Sequence, residues 1–535
     1  MGIYLLEALP ILHNFRVPLL CVSLALSLYS VAISKSLKGI AWLCLFLAIV
    51  TCFGASYFSF RIQSKTHYFS DNLSVSREVF GELRIIKRLP NSKKFNRLQC
   101  IAQFSDNSNR LRFTENERIF VSTPITPEVE KIWLQDSRLE IEGLHTYFSP
   151  ESLDKPFYKS LSRKGVYSKI THLKIQNTKL EHQKRGLIVP DINHMRIRLD
   201  KILSLGASEG SLAPKIYKAM LLGQKENLIS EQKNLFIHTG TMHLFAVSGL
   251  HIGVIALFIS QSLGLLRAPS ILIPVISIAA LYYYVQIIEA PPSALRALLM
   301  ITLYWVSLMI RRQSNGFSAL VLSALILLAV NPWQIFSIGF QLSYTVVANI
   351  ILWGIPFNAW MQSTFKLYKS LPEDDWSLRQ KYTSKAWCYF LSIFSISVAA
   401  WVGSLPLCIQ LFGYSSTGGL LANILIIQIA SLVILTGVLS LGFGIIQLFA
   451  ISEFLNYAAW LQIHLIDTIL RITQKLPFPT LESDPTKDFP GLLVLILYFG
   501  SLMIMHLYPK LLKSLYLLLP PSLCFGTILL ILAYQ

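Results

Sequence analysis

Charged residues are scarce in this sequence. They make up 14% of its 535 residues, whereas hydrophobic residues make up 53% and the mean hydropathy is +0.52. A soluble globular protein of this length would have about a quarter of its residues charged. The composition therefore excludes an ordinary soluble enzyme and predicts a protein that lies in a lipid bilayer.

Several chemical signatures are also missing. The seven cysteines form no CxxC pair and no Cys/His cluster, and only Cys100 lies in the large hydrophilic segment, so that segment cannot hold an internal disulfide. The sequence has no HExxH or GxxxxGK[ST] motif, and Ser248 does not stand in a GxSxG run. We therefore expect no metal, no cofactor, no catalytic residues and no nucleotide-driven motor in this chain.

Long apolar runs are abundant instead. A membrane-spanning helix needs about 20 mostly apolar residues, and we interpret the pattern as ten to twelve spans in a polytopic α-helical membrane protein. The stretch 417–447 is too long for one ordinary span, so a broken or re-entrant piece is considered there. The apolar segments are 17–34, 39–60, 243–265, 270–289, 294–310, 317–330, 333–354, 386–411, 417–447, 454–470, 490–507 and 513–533.

Positive charge in short connections predicts the orientation, because such loops face the cytoplasm. The basic short connections all fall on one side of the predicted spans, with Arg471 and Lys475 as exceptions. They contain Lys35, Lys38, Arg267, Arg311, Arg312, Lys366, Lys369, Arg379, Lys381, Lys385, Lys510 and Lys513. The pattern predicts a multi-pass protein of the cell inner (cytoplasmic) membrane, with the segment from 61 to about 240 outside the cytoplasm.

A small β domain is predicted at 61–190. In one of its runs Leu139 and Ile141 alternate with Glu140 and Glu142, which is the period of a half-buried strand. Turn-rich stretches separate the runs, and five short strands favour an inserted OB-like β-barrel. The strand-like runs are Val79–Leu89, Leu98–Phe104, Leu111–Val121, Leu139–Phe148 and Val166–Ile175.

The same segment is strongly basic. It has 23 Lys and Arg against 14 Asp and Glu, a net charge of +9 out of +18 for the chain. A basic barrel with interleaved aromatics can follow a phosphate backbone and stack bases; the alternatives are a solvated basic face or attraction to anionic lipid. The candidate DNA-binding residues are Lys87, Arg88, Lys93, Lys94, Phe95 and Arg97.

The remaining boundaries follow from the changes in composition. Residues 1–60 are predicted to form two transmembrane helices, and 191–240 an amphipathic helical connector on the outer membrane surface, with a solvated linker as the alternative for its first half. Residues 241–450 are assigned to the membrane-embedded core. Residues 451–535 are assigned to C-terminal transmembrane helices.

A series of motifs identifies the family that the sequence resembles. The run MLLGQ begins at Met220 and HTGTMHLFAVSGLH at His238; PSALRALLM follows at Pro292, NP at Asn331 and GFQLSY at Gly339. SLP at Ser404, FG at Phe412 and AN at Ala422 complete the order, while PFYKSL at Pro156 and GVY at Gly165 precede it. These elements, in this order, resemble the ComEC-type competence family with its N-terminal OB-like domain.

The resemblance implies a function for the chain. It implies a channel that carries one DNA strand inward during natural transformation, with residues 241–450 as the competence domain. A separate DNA receptor, a nuclease and a cytoplasmic motor or DNA-binding protein are implied as partners. Asn331 and Gln428 depart from the family pattern, and no HxHxDH run of its metallo-β-lactamase-like domain occurs, so we expect strand degradation by another protein.

Polar residues inside the apolar segments are the candidates for lining a conduit, because ionisable groups in a span usually face an interior. Other roles are considered for four of them. Metal binding by His243 and His251 is disfavoured because no acidic residue lies among them. The structural alternatives are close helix packing for Ser248 and contact with the membrane interface for Arg296. The candidates are His243, Ser248, His251, Arg296, Gln341, Ser343 and Asn423. Two other functions stay open, an intramembrane hydrolase and a transporter of a smaller anionic solute.

Overall fold

The computed structural model divides the chain into two compact units, Met1–Gly186 and Leu187–Gln535, which are described separately. The predicted N-terminal transmembrane helices lie outside the described residues, apart from Gly54. The structure describes residues 54, 77–92, 97–104, 118–124, 138–149, 156–162, 165–179, 192–208, 211–224, 230–245, 247–311, 316–368, 376–412, 414–416, 418–475, 480–482, 491–507, 521–522, 524–526 and 528.

The first unit contains a closed five-stranded barrel with the order β1-β2-β3-β5-β4. All neighbouring strands are antiparallel except β3 and β5, which run parallel. The barrel confirms the predicted OB-like domain. Its strands are β1 (Arg77–Ser92), β2 (Arg97–Phe104), β3 (Arg118–Pro124), β4 (Arg138–Tyr147) and β5 (Val166–Lys179), and helix α1 (Pro156–Ser162) precedes β5.

The barrel interior follows the alternation seen in the sequence. Leu139 and Ile141 are buried, whereas Glu140 and Glu142 are half-exposed. Burial also raises the pKa of the Cys100 thiol, so this cysteine is a protonated packing residue. All five predicted strands are confirmed, although the first half of the third, residues 111–117, lies outside the described part of the chain.

The second unit is helical. Helices α2 (Ile192–Ile202), α3 (Ala213–Leu222) and α4 (Ser230–His238) precede a 3-10 turn at Met242–Phe245. The apolar helices follow, and a short hairpin pairs Tyr414–Ser416 with Thr480–Glu482. They are α5 (Gly249–Leu265), α6 (Leu272–Ile287), α7 (Pro292–Met309), α8 (Gly316–Val330), α9 (Ile338–Asn349), α10 (Ile355–Thr364), α11 (Leu378–Phe412), α12 (Gly418–Ile445), α13 (Phe449–Lys475) and α14 (Gly491–Leu507).

Four stretches in the described part of the chain are long and apolar enough to cross a membrane. They are Pro292–Met309, Ile338–Thr364, Leu378–Phe412 and Gly418–Ile445, and three shorter apolar helices are α5, α6 and α8. The second stretch is not uniform, because a π-helical turn at Ile350–Gly354 joins α9 to α10. The broken or re-entrant piece considered at 417–447 is wrong: α12 is one continuous helix of 28 residues. Its length of about 42 Å exceeds the hydrocarbon core, so tilt can accommodate it without a break.

The described parts of the segment 192–240 contact α12 at points along its length. Glycines of α12 mark the contacts: a Cβ on Gly444 would lie 2.5 Å from Ile202, one on Gly437 would lie 2.3 Å from Leu221, and one on Gly419 would lie 3.0 Å from the carbonyl of Thr239. From residue 444 to residue 419 the helix rises about 38 Å. An amphipathic helix on a membrane surface would expose a polar face, whereas eight of the ten residues of α3 are buried.

Candidate functional site

The start of α5 is organised by Ser248 and His251. Ser248 is the N-cap residue, with an extended backbone. Its backbone N–H donates to Nδ1 of His251 at 3.2 Å, and its hydroxyl lies 3.0 Å from the same nitrogen. This is a capping box in which histidine takes the place usually held by Glu or Gln. His251, which is buried, therefore has a structural role at this helix end.

The start of α7 packs beside the start of α5. The Ser293 hydroxyl donates to the carbonyl of Val247 at 2.6 Å, and a Cβ on Gly249 would lie 3.8 Å from Ala297. Pro292 occupies the first turn of α7, where its missing N–H costs nothing. Two of the sequence motifs, those beginning at His238 and at Pro292, thus meet at their helix ends.

Arg296 connects α7 with α9. Only 3% of its surface is exposed, and Nη2 donates to the carbonyl of Gly339 at 2.8 Å. Within the residues that the structure describes, Nε and Nη1 have no hydrogen-bond partner. The prediction that Arg296 can reach the membrane interface does not fit this burial.

The start of α9 is built from a turn and two polar side chains. Ser337 is its N-cap residue and accepts the N–H of Phe340 at 3.2 Å. The side-chain amide of Gln341 donates to the carbonyl of Ile335 at 3.0 Å. Ser343 is half-buried on the same helix. Asn331 caps the preceding 3-10 turn by accepting the N–H of Trp333.

Asn423 lies near the start of α12, where the chain after α4 comes close. The hydroxyls of Thr239 and Thr241 are 2.9 Å apart, and Gly240 has a left-handed φ of 70° that glycine adopts without strain. Gly419 meets this turn without a side chain between them. The Oδ1 atom of Asn423 is buried and has no hydrogen-bond partner among the described residues.

These contacts bring some candidates together and leave others apart. Ser248 and His251 touch directly, and Arg296 reaches α9, which also contains Gln341 and Ser343. His243 lies in the 3-10 turn, but its side chain is outside the described part. Within the described ranges no three His, Cys, Asp or Glu side chains form a group that could hold a metal ion.

The barrel candidates are described only in part. Lys87 and Arg88 lie on β1 opposite Ile101 and Cys100 of β2, next to an irregularity in the strand register. Arg97 begins β2 and is half-buried; its Nη2 donates to the carbonyl of Ser122 at 3.0 Å. The remaining candidates, Lys93, Lys94 and Phe95, lie outside the described residues.

Two buried polar groups were missed by the sequence analysis. In the first, Asn349 of α9 donates to the carbonyl of Ala399 at 2.7 Å and accepts from the hydroxyl of Tyr498 at 2.7 Å. The sequence signal for Asn349 was an uncharged amide side chain within an apolar segment, which indicates a buried polar site less strongly than a charged side chain does.

The second buried group holds α2 against α12 and α13. The amide of Asn456 donates to the carbonyls of Ile202 at 2.8 Å and Leu205 at 3.3 Å, and its oxygen accepts from Ser440 at 2.7 Å. Ile202 is the last residue of α2 and Leu205 lies in the turn that follows, where carbonyls lack the donors that a continuing helix would supply. Asn456 therefore caps a helix about 250 residues away in the sequence.

The motif contacts and the apolar helices define a mostly helical membrane protein with an OB-like barrel. The family model described as competence protein matches residues 220–511, which is more than half of the chain. The chain belongs to this competence protein family, of the ComEC/Rec2 type. With four apolar stretches of spanning length, it is a membrane protein.

Curated relatives match over shorter stretches. ComE operon protein 3 of Bacillus subtilis (strain 168) is 29% identical over 225 residues, which cover 42% of this chain and 25% of that protein. The uncharacterized protein YcaI of Escherichia coli (strain K12) is 24% identical over 243 residues, which cover 43% of this chain and 29% of that protein. An uncharacterized protein of Aquifex aeolicus (strain VF5) is 30% identical over 135 residues, 25% of this chain and 32% of that protein.

The matches span only a quarter to a third of the length of these curated relatives. No solved structure matches the chain.

Proposed function

We propose that this chain forms an inner-membrane channel for the uptake of single-stranded DNA in natural transformation. The observation that carries the proposal is the competence protein match over residues 220–511, supported by the similarity to ComE operon protein 3. The apolar helices supply the membrane path, and the barrel supplies a surface for the strand before it enters.

The barrel is proposed to gather single-stranded DNA outside the cytoplasm. Its segment has a net charge of +9, and five-stranded barrels of this kind bind strands by charge and base stacking with little sequence preference. Lys87, Arg88, Lys93, Lys94, Phe95 and Arg97 are the proposed contacts. Such binding weakens steeply as salt rises, because counterions are released from the phosphates.

The helical unit is proposed to conduct the strand. Its candidate residues are uncharged polar side chains or isolated charged side chains among apolar helices. Such a path would bind the DNA strand weakly and so let it pass. They are His243, Ser248, His251, Arg296, Gln341, Ser343 and Asn423. In this proposal the chain acts as a transport protein without catalysis, and a receptor, a nuclease and a cytoplasmic motor or DNA-binding protein act as separate partners.

The decisive experiment separates DNA entry from DNA binding. In a transformable host that carries this gene, deletion should abolish entry of labelled DNA into the cytoplasm while surface-bound DNA persists. Undiminished entry after deletion would refute the proposal.

The barrel can be tested with the full chain in nanodiscs of neutral lipid. Replacing Lys87, Arg88, Lys93 and Lys94 by Ala should weaken oligonucleotide binding and flatten its dependence on salt, by about 0.7 in the log–log slope for each lost phosphate contact. A control of equal charge change replaces Arg163, Lys169, Lys174 and Lys179 and should leave the slope nearly unchanged. Equal slopes in the two quadruple variants would move the binding surface elsewhere. Competition by mononucleotides as effective as that by oligonucleotides would favour a transporter of small anionic solutes.

A further inference from the structure

Arg296 is a buried positive charge with one neutral partner. Its guanidinium donates from Nη2 to the Gly339 carbonyl at 2.8 Å, while Nε and Nη1 have no partner in the described part of the chain. An arginine stays protonated in proteins, so burial cannot be relieved by loss of the proton. The desolvation of such a charge is strongly unfavourable unless an anion lies against it.

The neighbouring helices supply no such anion. Helices α5, α6, α8 and α9 contact α7, and none of these five helices contains an Asp or Glu. The acidic residue that precedes α7 most closely, Glu289, is paired with Arg196 of α2. The guanidinium therefore lacks a carboxylate from its own helix and from each of these four.

A second positive potential faces the same place. Gly339 lies in the first turn of α9, a helix of 12 residues, where N–H groups have no intrahelical acceptor and the helix dipole is positive. Helix starts of this kind bind phosphate and sulfate groups. Since the guanidinium of Arg296 lies against Gly339 in this turn, the arginine charge and the positive end of the helix dipole lie close together.

Gly339 also leaves room beside the guanidinium. A Cβ at this position would lie 3.4 Å from Nη2 and 3.8 Å from Nη1, so any longer side chain would fill the adjoining space. Gly339 itself is exposed, although Arg296 beneath it is buried. A ligand can therefore approach over the glycine.

We propose that Arg296 and the first turn of α9 form a binding site for one phosphodiester group. Arginine N–H groups form strong charge-assisted hydrogen bonds to phosphate oxygens, and here Nε and Nη1 are the donors left for it. They lie on different edges of the guanidinium, so a phosphate would pair with the charge and accept from one of them. The assignment to a DNA phosphate rests on the proposed function; a phospholipid headgroup offers the same phosphodiester chemistry. The site holds one phosphate, so the successive phosphates of a moving strand would occupy it one at a time.

The site is tested with the full chain purified in detergent and dimethyl phosphate as the probe. Dimethyl phosphate should raise the apparent Tm of the wild-type chain, and Arg296→Gln should abolish that rise. Arg296→Lys should keep part of it, because a lysine supplies charge without the fork. The matched control is Arg267→Gln, an exposed arginine in the α5–α6 connection, which should respond as the wild type does.

Gly339→Val keeps the arginine but fills the space above it, so it should also abolish the rise. This variant keeps the test decisive if Arg296→Gln fails to fold. Rises that are equal in the wild type, Arg296→Gln and Gly339→Val would overturn the site.

Two further arms identify the source of the phosphate. If DNA is the ligand, Arg296→Gln should weaken binding of a phosphodiester oligonucleotide about tenfold, as for loss of a charge-assisted hydrogen bond, and leave a methylphosphonate oligonucleotide unaffected. If a lipid is the ligand, stabilisation by phosphatidylglycerol over phosphatidylcholine nanodiscs should be lost instead. If neither effect is seen, the phosphate site is contradicted, even if gene deletion blocks DNA entry. If the chain binds phosphate at this site but gene deletion does not reduce DNA entry, the site stands and the proposed function is refuted.

Discussion

Gly437 of α12 provides a sharp test of the path taken by residues 192–240. A Cβ at this position would lie 2.3 Å from Cδ1, 3.1 Å from Cδ2 and 3.2 Å from Cγ of Leu221. Leu221 is fully buried in α3, so it cannot swing into solvent. The substitution Gly437→Ala must therefore displace α3 or force Leu221 from its rotamer.

The expected loss is about 1–3 kcal/mol, the usual range for one extra methyl group in a packed core. Gly442 is the matched control on the same helix, since its Cβ would meet no atom within 4 Å. There the same replacement only removes the backbone freedom of glycine, which in soluble helices stabilises by about 0.5–1 kcal/mol. The two alanine variants should thus shift the apparent Tm in opposite directions.

A second substitution tests the contact itself. Leu221→Ala alone should destabilise by about 2–5 kcal/mol because it leaves a cavity. Combined with Gly437→Ala it should cost less than the sum, since the new methyl group enters the vacated space, with a coupling of about 1–2 kcal/mol. The assay is the thermal loss of monodisperse protein in detergent, followed by size-exclusion fluorescence. Additive effects, or equal Tm values for the Gly437 and Gly442 variants, would refute the packing of α3 against α12.

Two further predictions concern single polar side chains. Asn456→Leu should lower the apparent Tm by several degrees, since the carbonyls of Ile202 and Leu205 lose the side-chain amide and only that of Ile202 keeps another donor, the N–H of Leu205. Exposed Leu461→Asn on the same helix is the control, and an unchanged Tm for Asn456→Leu would contradict the cap. His251→Gln should retain DNA entry and membrane abundance because glutamine can also accept the Ser248 N–H, whereas His251→Leu should lose both. Complete loss of entry in the Gln variant at normal abundance would instead indicate imidazole chemistry.

The barrel was predictable because its determinants are local. Alternation of Leu139 and Ile141 with two glutamates marks a strand face within four residues, and turn-rich stretches mark the strand ends. Closure of the barrel requires only that each strand bury that face. The sequence predicts which strand or connection contains each basic residue, but not which of these side chains are free to face outward. Arg97, for example, donates a hydrogen bond from Nη2 to the carbonyl of Ser122.

The burial of α3 could not be predicted in the same way. Its sequence shows lysines at 215 and 218 among apolar residues, which is the pattern of a surface helix. The structure accommodates Lys218 by an ion pair with Asp200 at 2.7 Å, while glycines of α12 make room for the apolar side. The room for the apolar side depends on residues more than 200 positions away, and a pattern within the segment contains no record of them.

Polarity in an apolar helix marked both His251 and Arg296 as candidates, yet the structure separates their roles. The Nδ1 atom of His251 accepts the N–H of its own N-cap residue, so a local structural need accounts for the histidine. Arg296 satisfies one neutral carbonyl, and that carbonyl could be satisfied by a smaller uncharged donor at lower desolvation cost. In the proposed site, a phosphate from outside the fold accounts for that charge. The sequence ranks the two residues alike, and only their partners show that Arg296 is the one that folding leaves unexplained.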